Sequence, residues 1–255
     1  MSVAVSSPGA QRARAPAEQK ARIDLAAAHR LAGIYGWTHL IYNHFTLRVP
    51  GEPAHFLVKA HNDRFEEVTA SSLVKVDMQG EPVDGDSATS ITGITIHSAV
   101  FEARPDINCV MHAHTAVGMA IAAHPKGLLP ITQSAMRFYD RLGYHDYEGV
   151  SDDGKERAGI ARDLGPRANA MILRNHGLLT CGATVGLAFG RMYHLLLAAQ
   201  AQLMVEATGH TPLVPAPEVC EHAARQVEKY DREATGEWLA LLRRLEQAEG
   251  TQYRA

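Results

Sequence analysis

Cysteine is scarce in this chain: Cys109, Cys181 and Cys220 are the only three in 255 residues. Their odd number, wide spacing and lack of a Cys-x-x-Cys pair exclude a disulfide framework and a cysteine-built metal cluster. Apolar or small neighbours mark them as reduced packing residues. Charge of one sign is also lacking. The formal net charge is -3 and no basic stripe is present, which excludes nucleic acid as the expected partner. No apolar run approaches the roughly 20 residues needed to span a bilayer, so no membrane partner is expected. The opening "MSVAVSSPGAQRARAP" has no sustained apolar core and reads as a flexible tail over residues 1–16, not a secretory signal or an anchor. A cytoplasmic location and a small-molecule substrate are the resulting expectations.

Apolar residues are plentiful. At 46% they suffice for one continuous core, and the pattern predicts a single α/β domain. Ile23, Ala26, Ala27, Leu31 and Ile34 recur at helical spacing, with Gly33 and Gly36 loosening the end. "HFTLRVP" and "HFLVKA" flank "PGEPA" and predict a hairpin; "LVKVDMQGEPVDG" continues the sheet. Next come a helix in "ITIHSAVFEAR", a buried strand in "INCVMHAH" and a small-residue helix in "AVGMAIAAH". "LPITQSAMRFY" and "YHDYEGV" read as irregular, aromatic-rich lining. A charged helix, the strand–turn–strand "ANAMILRNHGLLTCG" and a long buried helix complete a domain over 17–209. Residues 210–255 read as a Pro-rich connector and one docking helix of the same domain, with Trp238, Leu241, Leu242 and Leu245 on one face.

Histidine is frequent, at 14 residues, and its placement is informative. Residues two apart on a strand share a face, so His112 and His114 in "CVMHAHTAVG" project together at the carboxyl end of a strand, where α/β sheets open their ligand crevices. A third imidazole, His176 in "RNHGL", ends another apolar strand beside Gly177, whose freedom is expected to turn the backbone sharply. Three imidazoles leave coordination positions open, the pattern of a catalytic site for one divalent ion: zinc, manganese, cobalt or iron(II).

"GWTHLIYNHFTLRV", "FEEVTASSLVKVD", "HSAVFEARPDINCVMHAHT", "LLPITQSAMRFYDRLGYHDYEGV" and "LGPRANAMILRNHGLLTCG" occur in an order and spacing that resemble the class II aldolase and adducin head-domain family, in its adducin-like bacterial branch. The match runs from about Ala17 to Glu206. The resemblance implies a three-layer α/β/α sandwich with a central, mostly antiparallel sheet, a homotetramer with sites at subunit interfaces, and His112, His114 and His176 as metal ligands. It implies a substrate-binding role for Asn43 and Thr46. His97, on a helix facing the sheet, is expected behind the ligands instead of among them.

Departures from the family bear on the reaction. Sugar-phosphate aldolases of the family carry an acid/base glutamate four residues before the histidine of that helix, and Gly93 stands there. Their phosphate-binding turn and serine pair correspond to His61-Asn62 and Ile91-Thr92, and their proton-donating tyrosine falls near Gln133-Ser134. Thr92 and Gln133 are therefore expected to touch a different substrate. Arg137 is a candidate for a carboxylate, and Tyr139, Tyr144 and His145 are candidates for proton transfer. The expected activity is a metal-dependent lyase acting on a small 2-oxo or 2-hydroxy acid, with decarboxylation favoured over retro-aldol cleavage. The alternatives are a non-haem iron oxygenase that decarboxylates an aryl 2-oxo or 2-hydroxy acid, similar to aminocoumarin-pathway oxygenases, and a non-catalytic adducin-like binding module.

Overall fold

The structure, a computed structural model, describes residues 14–84, 89, 91–150, 155–231 and 235–255. The first 13 residues of the expected tail lie outside it. Pro16 opens α1 (Pro16–Ile34), where its fixed φ suits the first turn and its missing N–H removes no bond. The helix buries Leu25, Ala28, Leu31 and Ala32. The hairpin follows as β1 (His44–Val49) and β2 (Glu52–Val58), then β3 (Val74–Asp77) and the short β4 (Pro82–Asp84). Next are α2 (Ile91–Ala103), β5 (Cys109–Ala113), α3 (Ala116–Ala122), the single turn α4 (Gln133–Met136) and β6 (Leu142–His145). The chain continues through α5 (Arg157–Leu164), β7 (Ala170–Leu173), β8 (Gly177–Gly182), α6 (Val185–Glu206), α7 (Pro217–Asp231) and α8 (Thr235–Glu249).

The eight strands form one sheet in the order β4-β3-β2-β1-β5-β8-β7-β6, antiparallel throughout except for β6 beside β7. Strand alternation sends Phe45, Leu47, Cys109, Met111 and Leu178 into a core shared with α1, α3, α6 and α8. Phe56, Val76, Val110, Met171 and Leu179 pack with α2 and α5 on the opposite face. The result is the expected helix–sheet–helix sandwich. All three cysteines are buried and unbridged. No helix among the described residues is long and apolar enough to cross a membrane.

Three elements differ from the sequence expectation, the first being the helical turn α4 within "LPITQSAMRFY", which was expected to be irregular. "YHDYEGV" was expected to be irregular, but its first residues complete β6, paired in parallel with β7 at the sheet edge. Four residues are too few for a periodic signal. The carboxyl-terminal region holds two helices instead of one. α7 buries only Cys220 and Ala224, so it lacks a broad apolar stripe; it is fastened by ion pairs from Asp231 to Arg137 and Arg191 and from Glu221 and Glu228 to Arg141. α8, whose apolar face was expected to dock, places Trp238 and Leu245 in this chain's own core, with Trp238 6.0 Å from Phe189 between ring centroids.

Candidate metal centre

The site grows out of strand register. On β5, Val110 and His112 face α2, and His44 on β1 lies directly opposite His112. β8 flanks β5 on its other side, and its Leu178 carbonyl accepts a hydrogen bond from His112 Nδ1 at 3.0 Å. That bond places the proton on Nδ1 and leaves Nε2 with a free lone pair. His114 follows the end of β5. Its backbone N–H donates to Asn43 Oδ1 at 3.1 Å, and its Nδ1 lies 3.2 Å from His39 Nδ1, which leaves Nε2 directed inward, 2.6 Å from His112 Nε2. His176 sits in the turn between β7 and β8, and its ring centroid is 4.7 Å from both other rings. One nitrogen from each of the three lies within 4.8 Å of the others.

Gly177 is required, for a reason other than the one expected. The left-handed backbone in this turn belongs to Asn175, at φ 56°. Gly177 serves proximity instead: a Cβ there would stand 2.8 Å from the Ala113 carbonyl oxygen, 2.9 Å from His114 Cδ2 and 3.4 Å from His112 Cε1. A side chain at 177 would enter the space between the strand ends that the imidazoles occupy.

Burial dominates the electrostatics. His112 is fully buried and its basicity is held well below the ordinary imidazole value, first by desolvation and then by His114 and His176. His114 is lowered to about 4 by burial and then by His176 and His39, and His176 is lowered by burial, with Glu156 acting in the opposite sense. Uncharged imidazoles with inward lone pairs are the form that ligates a metal. Among the described residues the group contains no carboxylate. The donor chemistry thus fits a single divalent ion bound by nitrogen.

His97 is fully buried on α2. Its Nδ1 is 2.7 Å from Thr46 Oγ1, its Nε2 has no partner among the described residues, and burial lowers its pKa to about 3. Thr46 has no exposed surface and meets His97 and the Val110 carbonyl. Asn43 uses both ends of its amide on backbone, accepting from His114 N–H and donating to the Trp37 carbonyl at 2.5 Å. It positions His114. The side chain of Thr92, in the first turn of α2, lies outside the described residues.

The remaining candidates are drawn elsewhere. Arg137 pairs with Asp231, and Gln133 is exposed at the start of α4. Tyr139 lines a surface recess with Arg167 and Glu218. The Tyr144 hydroxyl accepts from Leu128 N–H at 3.1 Å, with the Arg174 guanidinium 4.7 Å from its ring centroid. His145 is buried between Asp163, at 2.7 Å, and Glu156, at 3.0 Å. Three side chains not singled out from sequence border the histidines: His39, His44, whose ring stacks on His112 at 5.9 Å, and Tyr147, whose ring is 6.4 Å from that of His176. Only His44 carried a readable signal, its alternation with Thr46 on a strand; its neighbour across the sheet was not readable.

Comparison with known proteins places the chain in a family and agrees with the fold. The family described as Class II Aldolase and Adducin N-terminal domain matches residues 23–203. A Pseudomonas aeruginosa protein assigned provisionally to aldolase class 2 is 40% identical over 91% of both chains. Mouse alpha-adducin is 44% identical over 76% of this chain, a stretch that makes up 27% of the adducin. Among solved structures, an aldolase II superfamily protein from Pseudomonas syringae superposes with a TM-score of 0.90 at 41% identity, covering 95% of this chain and 98% of that one. An L-fuculose 1-phosphate aldolase from Glaciozyma antarctica superposes with a TM-score of 0.85 at 25% identity, covering 98% and 97%.

Proposed function

The chain belongs to the class II aldolase and adducin family, and on that premise we propose that it is a metal-dependent lyase acting on a small 2-oxo or 2-hydroxy acid, with decarboxylation favoured over retro-aldol cleavage. The observation that carries the proposal is the convergence of three ring nitrogens, from His112, His114 and His176, within 4.8 Å. Zinc, manganese, cobalt and iron(II) all accept such ligands. A divalent ion supplies Lewis acidity that stabilises negative charge developing on a substrate oxygen. The protein's part is orientation: the Leu178 carbonyl fixes His112, Asn43 and His39 fix His114, and Gly177 keeps the three rings close.

Decarboxylation is favoured because the place beside the cluster where the aldolase resemblance sets a glutamate holds Gly93, and the His44 ring packs against it. When a 2-oxo acid loses a carboxylate that lies beta to its oxo group, the electron pair of the broken carbon–carbon bond moves into the oxo group as an enolate, later protonated at carbon from solvent, and no C–H or O–H proton has to be removed first. A missing carboxylate base is then no obstacle. Leu40, Tyr42 and Tyr147 are 71, 50 and 53% exposed in the single chain. A homotetramer with the site between subunits would cover such side chains.

The test is elemental analysis of protein purified without added metal, joined to carbon dioxide release from a panel of 2-oxo and 2-hydroxy acids with and without oxygen. About one divalent ion per chain and oxygen-independent release are expected. The all-imidazole donor set also suits iron(II), so release that needs iron and consumes oxygen would replace the lyase with an oxygenase. Absence of stoichiometric metal would reduce the chain to a binding module.

A further inference from the structure

His44 makes no side-chain hydrogen bond among the described residues, and unlike His176 it holds a ring nitrogen that is fully buried and unpaired. It is 4% exposed, its Nδ1 is sealed from solvent and unpaired, and its ring lies parallel to that of His112, 15° apart at 5.9 Å. His97, whose Nε2 is likewise buried and unpaired, stands perpendicular to it at 6.0 Å. Buried polar atoms in folded proteins nearly always have partners, and an unsatisfied pair of ring nitrogens beside a ligand site calls for a bound molecule to complete it. The backbone opposite has been shaped around this ring. A Cβ at Gly93 would stand 2.7 Å from His44 Cγ and 2.8 Å from Cδ2, closer than real Cβ atoms come, and a tight 3.1 Å from Nδ1. His44 and Gly93 therefore form one unit: the imidazole occupies the volume that any side chain at 93 would need.

We propose that His44 is a substrate-binding and specificity-determining residue, offering a hydrogen-bonding imidazole to an acid held at His112, His114 and His176 and excluding a carboxylate from position 93. The assignment rests on the proposed metal-dependent function and names the side chain that selects its substrate. His44 lies across the strand pair from His112 and so is placed to meet a substrate oxygen without ligating the ion.

The test uses full-length protein loaded with zinc and titrated calorimetrically with oxalate, a probe with the adjacent oxygens of a 2-oxo acid. His44→Ala should retain wild-type zinc content and a native circular dichroism spectrum while binding oxalate at least about tenfold more weakly, the scale of one lost hydrogen bond to a charged ligand. His44→Gln, which restores an amide N–H, should recover part of that loss and covers the case in which the alanine variant fails to fold. Gly93→Glu should lower the melting temperature, and His44→Ala/Gly93→Glu should regain most of it. Wild-type oxalate affinity in a zinc-loaded His44→Ala protein overturns the role of His44 alone. A Gly93→Glu protein as stable as wild type overturns the shared-volume claim. A wild-type protein that binds no zinc overturns the proposed function, and this assignment with it.

Discussion

Two polar clusters among the described residues are built in opposite ways. At the ends of β1, β5 and β8, His44, His97, His112, His114 and His176 gather with no carboxylate in the metal-ligating group, and His44 and His97 keep unpaired buried nitrogens. Near β6 and α7, charged groups meet counter-charges: Arg137 and Arg191 meet Asp231, Arg141 meets Glu221 and Glu228, and His145 lies between Glu156 and Asp163. A network of countered charges fastens elements together even though Arg191 Nε stays unpaired within it, whereas uncharged imidazoles gathered at a fixed geometry without a counter-charge are available to a ligand. Arg137 and His145, attractive as catalytic residues from their sequence context, belong to the fastened kind.

The contrast can be broken first at the histidines. His112→Ala should abolish stoichiometric metal and lower turnover at least about 100-fold while leaving the circular dichroism spectrum intact, since removing a ligand costs more than the 10–100-fold typical of its supporting residues. Wild-type metal content in this variant would dissolve the distinction between the clusters. Gly177→Val comes next. Its side chain would press on the Ala113 carbonyl and His114, and metal affinity should fall about 10–100-fold by competition with a chelator.

At the ion-paired cluster the expected response is in stability, not in metal. Arg141→Ala should lower unfolding free energy by about 1–3 kcal/mol in urea, discounted for the partial exposure of Glu221 and Glu228, with metal content unchanged. A change in metal content with unchanged stability would reverse the assignment of the two regions.

The smallest effect tests burial of a histidine away from both clusters. His29, against Phe45 and Phe65, has its pKa lowered to about 3 by desolvation, with its backbone bond to Leu25 opposing. The unfolded chain takes up that proton near 6.5 and the folded chain only near 3. Between these values the unfolded state binds more protons, so stability declines as pH falls. His29→Phe should flatten the decline by up to about 1.4 kcal/mol per pH unit across pH 4–6, measured by denaturant titration at each pH.

Much of this was legible in the residues. The Pro-Gly loop marked the β1–β2 hairpin, the His-x-His spacing on an apolar strand set two imidazoles on one side, and "RNHGL" supplied the third. Those signals are local, and local periodicity survives in sequence. What escaped depended on partners distant along the chain. Arg137 is claimed by Asp231, 94 residues on, within a helix whose attachment is mostly ionic and leaves little apolar pattern. Gly93 could be seen to lack a carboxylate, but only the β1–β5 pairing and the approach of α2 show that His44 fills its space. Gly177 was expected to bend the chain; its need is proximity to neighbouring strands, which one strand's sequence does not encode.

The hydrogen bond from His112 to the Leu178 carbonyl joins residues 66 positions apart. A chain emerging from the ribosome therefore exposes His112 and His114 well before the strand that orients them exists. Until β8 inserts beside β5, these two imidazoles are free to sample both tautomers and many rotamers. The three-nitrogen group is thus born late, in the same step that closes the middle of the sheet, and a truncated product ending before that strand has no finished cage with which to compete for ions.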